Sequence, residues 1–236
     1  MAGKTETSDA TTSVLSTTMR EYLAEIYRLG DREGTPDGFV STSALADLLD
    51  VSAPAVNRMV IKLRDHGLLF HEPYQGIRLT DSGRREALKQ LRRHRIVEAF
   101  LTKVMGFGWH QVHEEADRMS PTLEEIVVER MAEMAGYPTQ CPHGEPIPTP
   151  EGEIPELHDM LIPDAPQGVL LEITRVRTRE ADRLEYMAAL ELVPGAKFQV
   201  VHAAPFNGPI QLRLEDKEFR IIGHNLAEMI RVQPVE

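Results

Sequence analysis

The chain has 236 residues, 42% of them hydrophobic, and its 37 acidic against 26 basic side chains give a formal net charge of -11. That is an ordinary composition for one large globular domain or two to three small ones, and its acidity excludes indiscriminate binding to nucleic acid, which needs a cationic surface. No apolar run is long enough to span a bilayer, the first residues lack a secretion signal, and the single cysteine, Cys141, has no partner for an internal disulfide. A cytoplasmic protein with no membrane partner is therefore expected.

Residues 1–13 are polar and read as a disordered tail. From Val14 to about Arg32, Leu15, Met19, Tyr22, Leu23, Ile26 and Tyr27 recur at helical spacing until GTPDG interrupts them. STSALADLLD predicts a short helix with Leu45, Leu48 and Leu49 inward. Ser52 then reads as the N-cap of another, with Pro54 in its first turn, where a missing N–H costs little. Val56, Val60 and Leu63 form the apolar stripe of this second helix. LLFHEPYQGIRLT predicts a β-hairpin around PYQG. A long basic helix is expected from Thr80 to about Met105, GFGW breaks it, and HQVHEEADRM restarts it. A further helix follows, with Ser120 as its cap and Pro121 in its first position. Eight of the sixteen prolines fall between Pro138 and Pro166, which predicts an extended linker. Beyond it GVLLEITRV, KFQVVHA, IQLRL and FRIIG read as strands, with a short helix over 181–190.

The expected domains are thus 14–80, 81–137, a linker at 138–166 and a small β module at 167–236. Helix, tight turn, helix and hairpin in the first of these is the order of a winged helix-turn-helix. Between Ala53 and Arg95 ten basic residues stand against four acidic ones, a cationic segment inside an acidic protein. About 200° and 240° around the second helix from Val56, Arg58 and Lys62 point away from the core. Ser52, Ala53, Pro54, Ala55 and Asn57 crowd its N-terminal end, where small residues allow close approach and free N–H groups meet phosphate. Asn57 and Arg58 can offer bidentate hydrogen bonds to adenine or guanine. At the hairpin tip, Gln75 is a candidate for backbone contact, and Tyr74 reads equally as a contact or as packing. Double-stranded operator DNA is the partner these features indicate.

His94 and Glu98 are four residues apart on one expected helix, and His113 and Asp117 four apart on the next, so each pair shares a face. Antiparallel packing across GFGW would join the pairs into a site for a divalent first-row metal. Glu114 lies beside this set, Glu21 lies on the first helix, and His110 is a further candidate. Cys141 and His143, in CPHG, lack a second Cys or His cluster nearby and read as a turn.

These segments together resemble the diphtheria toxin repressor family, specifically its manganese-type branch. The resemblance runs through EYLAEIYRL, STSALADLLDVSAPAVNRMVIKLRDHGLL, GIRLTDSGR, HRIVEAFL, WHQVHEEA and GEPIP, nearly the whole chain. It implies a mainly α fold with a small β part: a winged helix-turn-helix, a helical dimerisation and metal-binding domain, and a C-terminal SH3-like, FeoA-like β-barrel. It also implies a homodimer and a DNA-binding transcriptional regulator of metal homeostasis, its sign of regulation left open, rather than an enzyme. By the same resemblance His94, Glu98 and His113 stand at the family's ancillary metal site, and Glu21 and Asp117 at two positions of its primary site. Iron-type members have Met and Cys at those two positions; carboxylates there favour Mn2+ over Fe2+. Ser120 and Pro121 occupy the places of the family's Glu-His pair, a departure from its primary site. Glu180 is the match for a ligand from the C-terminal domain. The alternatives are a winged-helix regulator that does not depend on metal, a metal-dependent hydrolase, and a scaffold whose barrel binds proline-rich segments.

Overall fold

The computed structural model describes residues 15–32, 38–215 and 217–235, so the expected tail and most of the GTPDG break lie outside the described residues. The chain divides into two compact units, 1–90 and 91–236, the boundary falling inside one long helix.

The first unit holds α1 (Thr17–Arg32), α2 (Thr42–Leu49), α3 (Ala53–Asp65), β1 (Leu69–Glu72), β2 (Gly76–Leu79) and the start of α4 (Asp81–Lys103). Along α1 the buried residues Met19, Tyr22, Leu23, Ile26 and Tyr27 follow the three-and-four spacing of one helix face. Ser41 caps α2, its Oγ accepting from the amides of Ser43 and Ala44 at 3.2 and 3.4 Å. Ser52 holds the capping position of α3 in an extended conformation but makes no side-chain cap bond, so its role there is positional. Val56, Val60 and Leu63 are fully buried with Leu23, Leu45 and Ile77. Burying each such side chain stabilises the unit by roughly 1.5–3 kcal/mol. The hairpin β1–β2 is antiparallel, running from the pair Leu69 and Leu79 to the pair Glu72 and Gly76. Val40 bridges Ile77 beside it. Gly76 has φ 111°, and a Cβ there would overlap the Val40 carbonyl, so this junction requires glycine. Thr80 caps α4, accepting from Gly83 N at 3.1 Å.

The second unit holds the rest of α4, then α5 (Val112–Met119), α6 (Glu125–Met134), β3 (Met160–Leu161), β4 (Leu170–Val176), α7 (Ala181–Ala189), β5 (Lys197–Ala203), β6 (Ile210–Leu214), β7 (Phe219–Ile222), α8 (His224–Ala227) and β8 (Ile230–Pro234). Ile96, Val97, Leu101, Val112, Ala116, Val128 and Met131 form one apolar cluster from α4, α5 and α6. The expected cap for α6 is corrected. Ser120 and Pro121 instead form a 3-10 turn with Thr122, Leu123 is extended, and α6 starts after Glu124. Pro121 has no N–H to donate and fits the first turn of that short segment, which leaves α6 to begin afresh.

Residues 135–159 carry no helix or strand beyond an isolated bridge between Gln140 and Pro146, consistent with their prolines. The end of the expected linker differs, because Met160 and Leu161 pair with Val232 and Arg231 as a sheet edge. The sheet is antiparallel in the order β3-β8-β4-β5-β6-β7. Its core includes Leu171, Ile173, Leu184, Met187, Phe198, Val200, Leu212, Ile230 and Val232. The four strands expected from sequence are present; β3 and β8 were not among them.

Candidate metal centre

The i,i+4 spacing of His94 and Glu98 on α4, and of His113 and Asp117 on α5, turns each pair to one face, and the packed helices bring the faces together. His113 Nδ1 lies 2.8 Å from Glu98 Oε1. His94 Nε2 lies 3.2 Å from the same oxygen and 3.3 Å from His113 Nδ1. Asp117 closes the group, with Oδ1 3.3 Å from His94 Nδ1 and Oδ2 3.5 Å from His113 Nε2. His94, Glu98 and His113 are buried; the Asp117 side chain is 54% exposed.

A second group converges on the same carboxylate. His143 Nδ1 lies 3.5 Å from Glu98 Oε1 and 3.8 Å from Cys141 Sγ, and all three residues are buried. His143 Nε2 is 2.9 Å from the Trp109 carbonyl, so this nitrogen donates and Nδ1 is the atom left to face Cys141 and Glu98. CPHG is thus a turn, as read from sequence, and also a pair of donors that the sequence reading passed over. Glu98 belongs to both triads, in each of which the donor atoms lie within 4.8 Å of one another.

Electrostatics tie the groups together. Burial opposes ionisation of Glu98, yet the charge on His94 and hydrogen bonds from His113, His143 and His94 hold its carboxyl well below the usual range. Burial would lower the His143 pKa, but hydrogen bonds to Cys141 and Glu98 and the Glu98 charge push it up to about 11. Burial and the Glu98 charge raise the Cys141 thiol. A buried carboxylate here draws protons onto its neighbours, which is the balance a cation provides in their place. His113 Nε2 is buried and makes no hydrogen bond among the described residues. Imidazole, carboxylate and thiol donors, with one buried ring nitrogen that makes no hydrogen bond, fit a divalent transition metal.

Other candidates lie elsewhere. Glu114 is exposed and pairs with Arg118 at 3.1 Å; Glu180 is exposed at the start of α7 and pairs with Arg183 at 2.8 Å. Neither is gathered into the two donor groups. Glu21 is half-buried on α1 in the first unit, and His110 is half-buried just before α5. Ser120 Oγ is buried without a hydrogen-bond partner among the described residues.

Three family models account for most of the chain: "Iron dependent repressor, N-terminal DNA binding domain" over 14–77, "Iron dependent repressor, metal binding and dimerisation domain" over 80–149, and "FeoA domain" over 160–234. The chain belongs to the diphtheria toxin repressor family. Among its relatives in this family is the iron-dependent repressor IdeR of Mycobacterium tuberculosis, 28% identical over 230 residues that cover 92% of this chain and 97% of that one. The diphtheria toxin repressor of Corynebacterium diphtheriae is 26% identical over 226 residues, covering 92% and 96%. Among solved structures, a manganese-dependent transcriptional repressor in complex with manganese superposes with a TM-score of 0.81 at 28% identity, covering 92% of this chain and all of the other. The manganese regulator SloR gives a TM-score of 0.76 at 28% identity, covering 92% and 98%. The diphtheria toxin repressor family consists of metal-dependent transcriptional repressors rather than enzymes, and its architecture of winged helix, helical dimerisation domain and SH3-like FeoA domain is the one seen here.

In this family member the candidate reading face is exposed on α3. Ser52, Pro54, Asn57, Arg58 and Lys62 are exposed and Ala55 is half-buried, opposite the buried stripe. Gln75 is exposed at the hairpin turn. Beside it Tyr74 is fully exposed at φ 68°, which excludes the packing role left open for it. Ile61, also exposed, was not among the sequence candidates.

Proposed function

We propose that this chain is a manganese-responsive regulator of metal homeostasis that binds a near-palindromic operator in double-stranded DNA as a cytoplasmic homodimer. The observation that carries this reading is the meeting of His94, Glu98, His113 and Asp117, two imidazoles and two carboxylates from separate helices. Hard oxygen donors beside imidazole suit Mn2+, with Fe2+ as the second choice. Glu98, Cys141 and His143 would take a second ion on the thiol side. A bound divalent ion supplies positive charge that lets these donors stay together without protons between them. His94 and Glu98 then fix α4 against the α5 residues His113 and Asp117, with Glu21 proposed to bring α1 under the same control.

The homodimer face we propose lies on α6, where Ile126 and Met134 are 80% and 52% exposed, with Tyr137 exposed just beyond the helix end. Burying such residues against a second copy removes an apolar patch that water otherwise covers. Two copies present two α3 helices to successive major grooves, Arg58 and Asn57 to base edges and Lys62, Gln75 and the α3 N-terminus to phosphates. Metal therefore acts by setting how the two reading heads are held.

A band-shift titration with manganese, on a duplex selected from a random pool, tests this. Manganese should strengthen binding, a chelator should reverse it, and His94→Ala or Asp117→Ala should weaken the stimulation with the fold retained. Equal binding by fully demetallated protein would instead support a winged-helix regulator that needs no metal.

A further inference from the structure

Asp159, just before β3, has a side chain only 2% exposed. Its carboxylate accepts from Arg175 Nε at 2.8 Å, Arg175 Nη2 and Arg231 Nη1 at 3.2 Å, and Thr174 Oγ1 at 2.8 Å. Arg231 also donates to the Asp159 carbonyl at 2.9 Å. Hydrogen bonds and charge from Arg175 overcome the burial that would raise the Asp159 pKa and hold the carboxyl low. In the other direction Arg175 Nη1 reaches both oxygens of Glu145 at 3.5 Å, and Glu145 accepts from Arg95 on α4 at 3.0 Å. Charges therefore alternate from Arg95 through Glu145, Arg175 and Asp159 to Arg231, from the helix that carries His94 and Glu98 to β8, the strand paired with β4.

This chain of charges brackets the turn that carries Cys141 and His143. The β4–β8 register shifts between Ile173 and Arg175, an irregularity of the kind that re-aims a side chain. Directly after it, Val176 N donates to the His143 carbonyl at 2.9 Å. Gly144 lies so close to the Thr174 carbonyl oxygen that a Cβ would overlap it. Trp109, whose carbonyl receives His143 Nε2, packs its side chain on the core of the C-terminal sheet. Beside the turn's own bonds, from Gly144 N to the Cys141 carbonyl and from Cys141 N to the Glu145 carbonyl, His143 is thus held by β4 through Val176 and by Trp109, whose side chain rests on the sheet core.

We propose that Arg175 and Asp159 are positioning residues for the Cys141–His143 limb, so that seating of the C-terminal sheet on this turn and ion binding at that limb are thermodynamically linked. The proposal rests on the reading that Glu98, Cys141 and His143 hold an ion. Arg175 aims the limb through Glu145 and the β4 irregularity, and Asp159 keeps Arg175 oriented. Linkage is reciprocal, so an ion at the limb in turn makes β4 harder to open.

Cobalt(II) added to the full-length protein is the probe, because its thiolate charge-transfer absorption reports Cys141 ligation directly. Wild type should show the band and Cys141→Ser should lack it. Arg175→Gln and Asp159→Asn should weaken the band and lower cobalt affinity at the limb by about tenfold or more, the effect of losing an outer-shell support. Cobalt binding that depends on His94 should persist in both. Glu145→Gln, which cuts a single link in the charge chain, gives the same readout if either variant fails to fold. Cobalt should also slow hydrogen exchange at Val176 in wild type and less so in Arg175→Gln. A wild-type protein with no thiolate band overturns the ion at the limb, and the linkage with it. A wild-type band and limb affinity unchanged in folded Arg175→Gln, Asp159→Asn and Glu145→Gln proteins overturns the linkage alone.

Discussion

On one side of Glu98 the donors His94, His113 and Asp117 stand on two helices, whereas on the other Cys141 and His143 stand on a turn in a proline-rich segment. The helical side owes its geometry to backbone hydrogen bonds that would form in any helix, and Asp117 leaves it partly open to water. The turn side is buried and held by distant partners: Arg95, Trp109, Thr174 and Val176. Nitrogen and oxygen donors face a sulfur and nitrogen pair across one shared carboxylate. Helical spacing and the packing of α4 on α5 build the first side, whereas contacts from α4, Trp109 and the strand β4 together build the second.

The largest effect should come from removing what the two sides share. Glu98→Ala should lower total metal affinity by well over ~100-fold, beyond the range usual for second-shell losses, and abolish metal-stimulated operator binding. Equilibrium dialysis and band shifts check it; retention of either ion would break the shared-carboxylate account.

Single-side substitutions sharpen the comparison. His94→Ala should remove one ion and most manganese stimulation, while Cys141→Ser should remove the other and leave a manganese response at the helical side. Metal stoichiometry by mass spectrometry under native conditions distinguishes them, and identical losses in both variants would contradict two sides.

The sides should also differ in acid sensitivity. The raised His143 and Cys141 pKa values mean that an ion at the turn must displace protons near neutrality. Protons compete, so affinity there rises with pH and falls on acidification, by about tenfold per pH unit for each proton displaced. Calorimetry in buffers of different ionisation enthalpy measures the proton count in wild type and Cys141→Ser. Equal counts would remove the basis for this difference.

A smaller effect is expected from Gly144→Ala. At φ 83° and against the Thr174 carbonyl, the added methyl should destabilise the second unit by about 1–3 kcal/mol. Chemical denaturation measures the loss, and cobalt spectroscopy should find the thiolate side perturbed more than the helical side.

What the sequence disclosed follows the same division. His94 with Glu98 and His113 with Asp117 were legible because a spacing of four marks one helix face. Val56, Val60 and Leu63 likewise disclosed which side of α3 is buried and left Arg58 and Lys62 outside. Cys141 and His143 gave no such sign: they flank a proline, and Glu98 lies more than forty residues earlier. Only tertiary packing brings the three together. Ser120 looked like a helix cap because Ser-Pro before acidic residues fits that pattern, but Leu123 is extended and α6 starts later. Strand β8 did carry a signal, the alternation of Ile230 and Val232 with polar neighbours, which Pro234 and the short length obscured. The edge strand β3 has two residues, too few for any period to be visible.

Operator binding measured against manganese concentration, with wild type and Glu98→Gln side by side on one selected duplex, tests the central claim most directly. Wild type should bind tightly only with the ion present, and Glu98→Gln should bind weakly at every concentration while remaining folded and dimeric. Matching curves for the two proteins, or tight binding by wild type in excess chelator, would contradict the claim that ions gathered at Glu98 govern the grip on DNA.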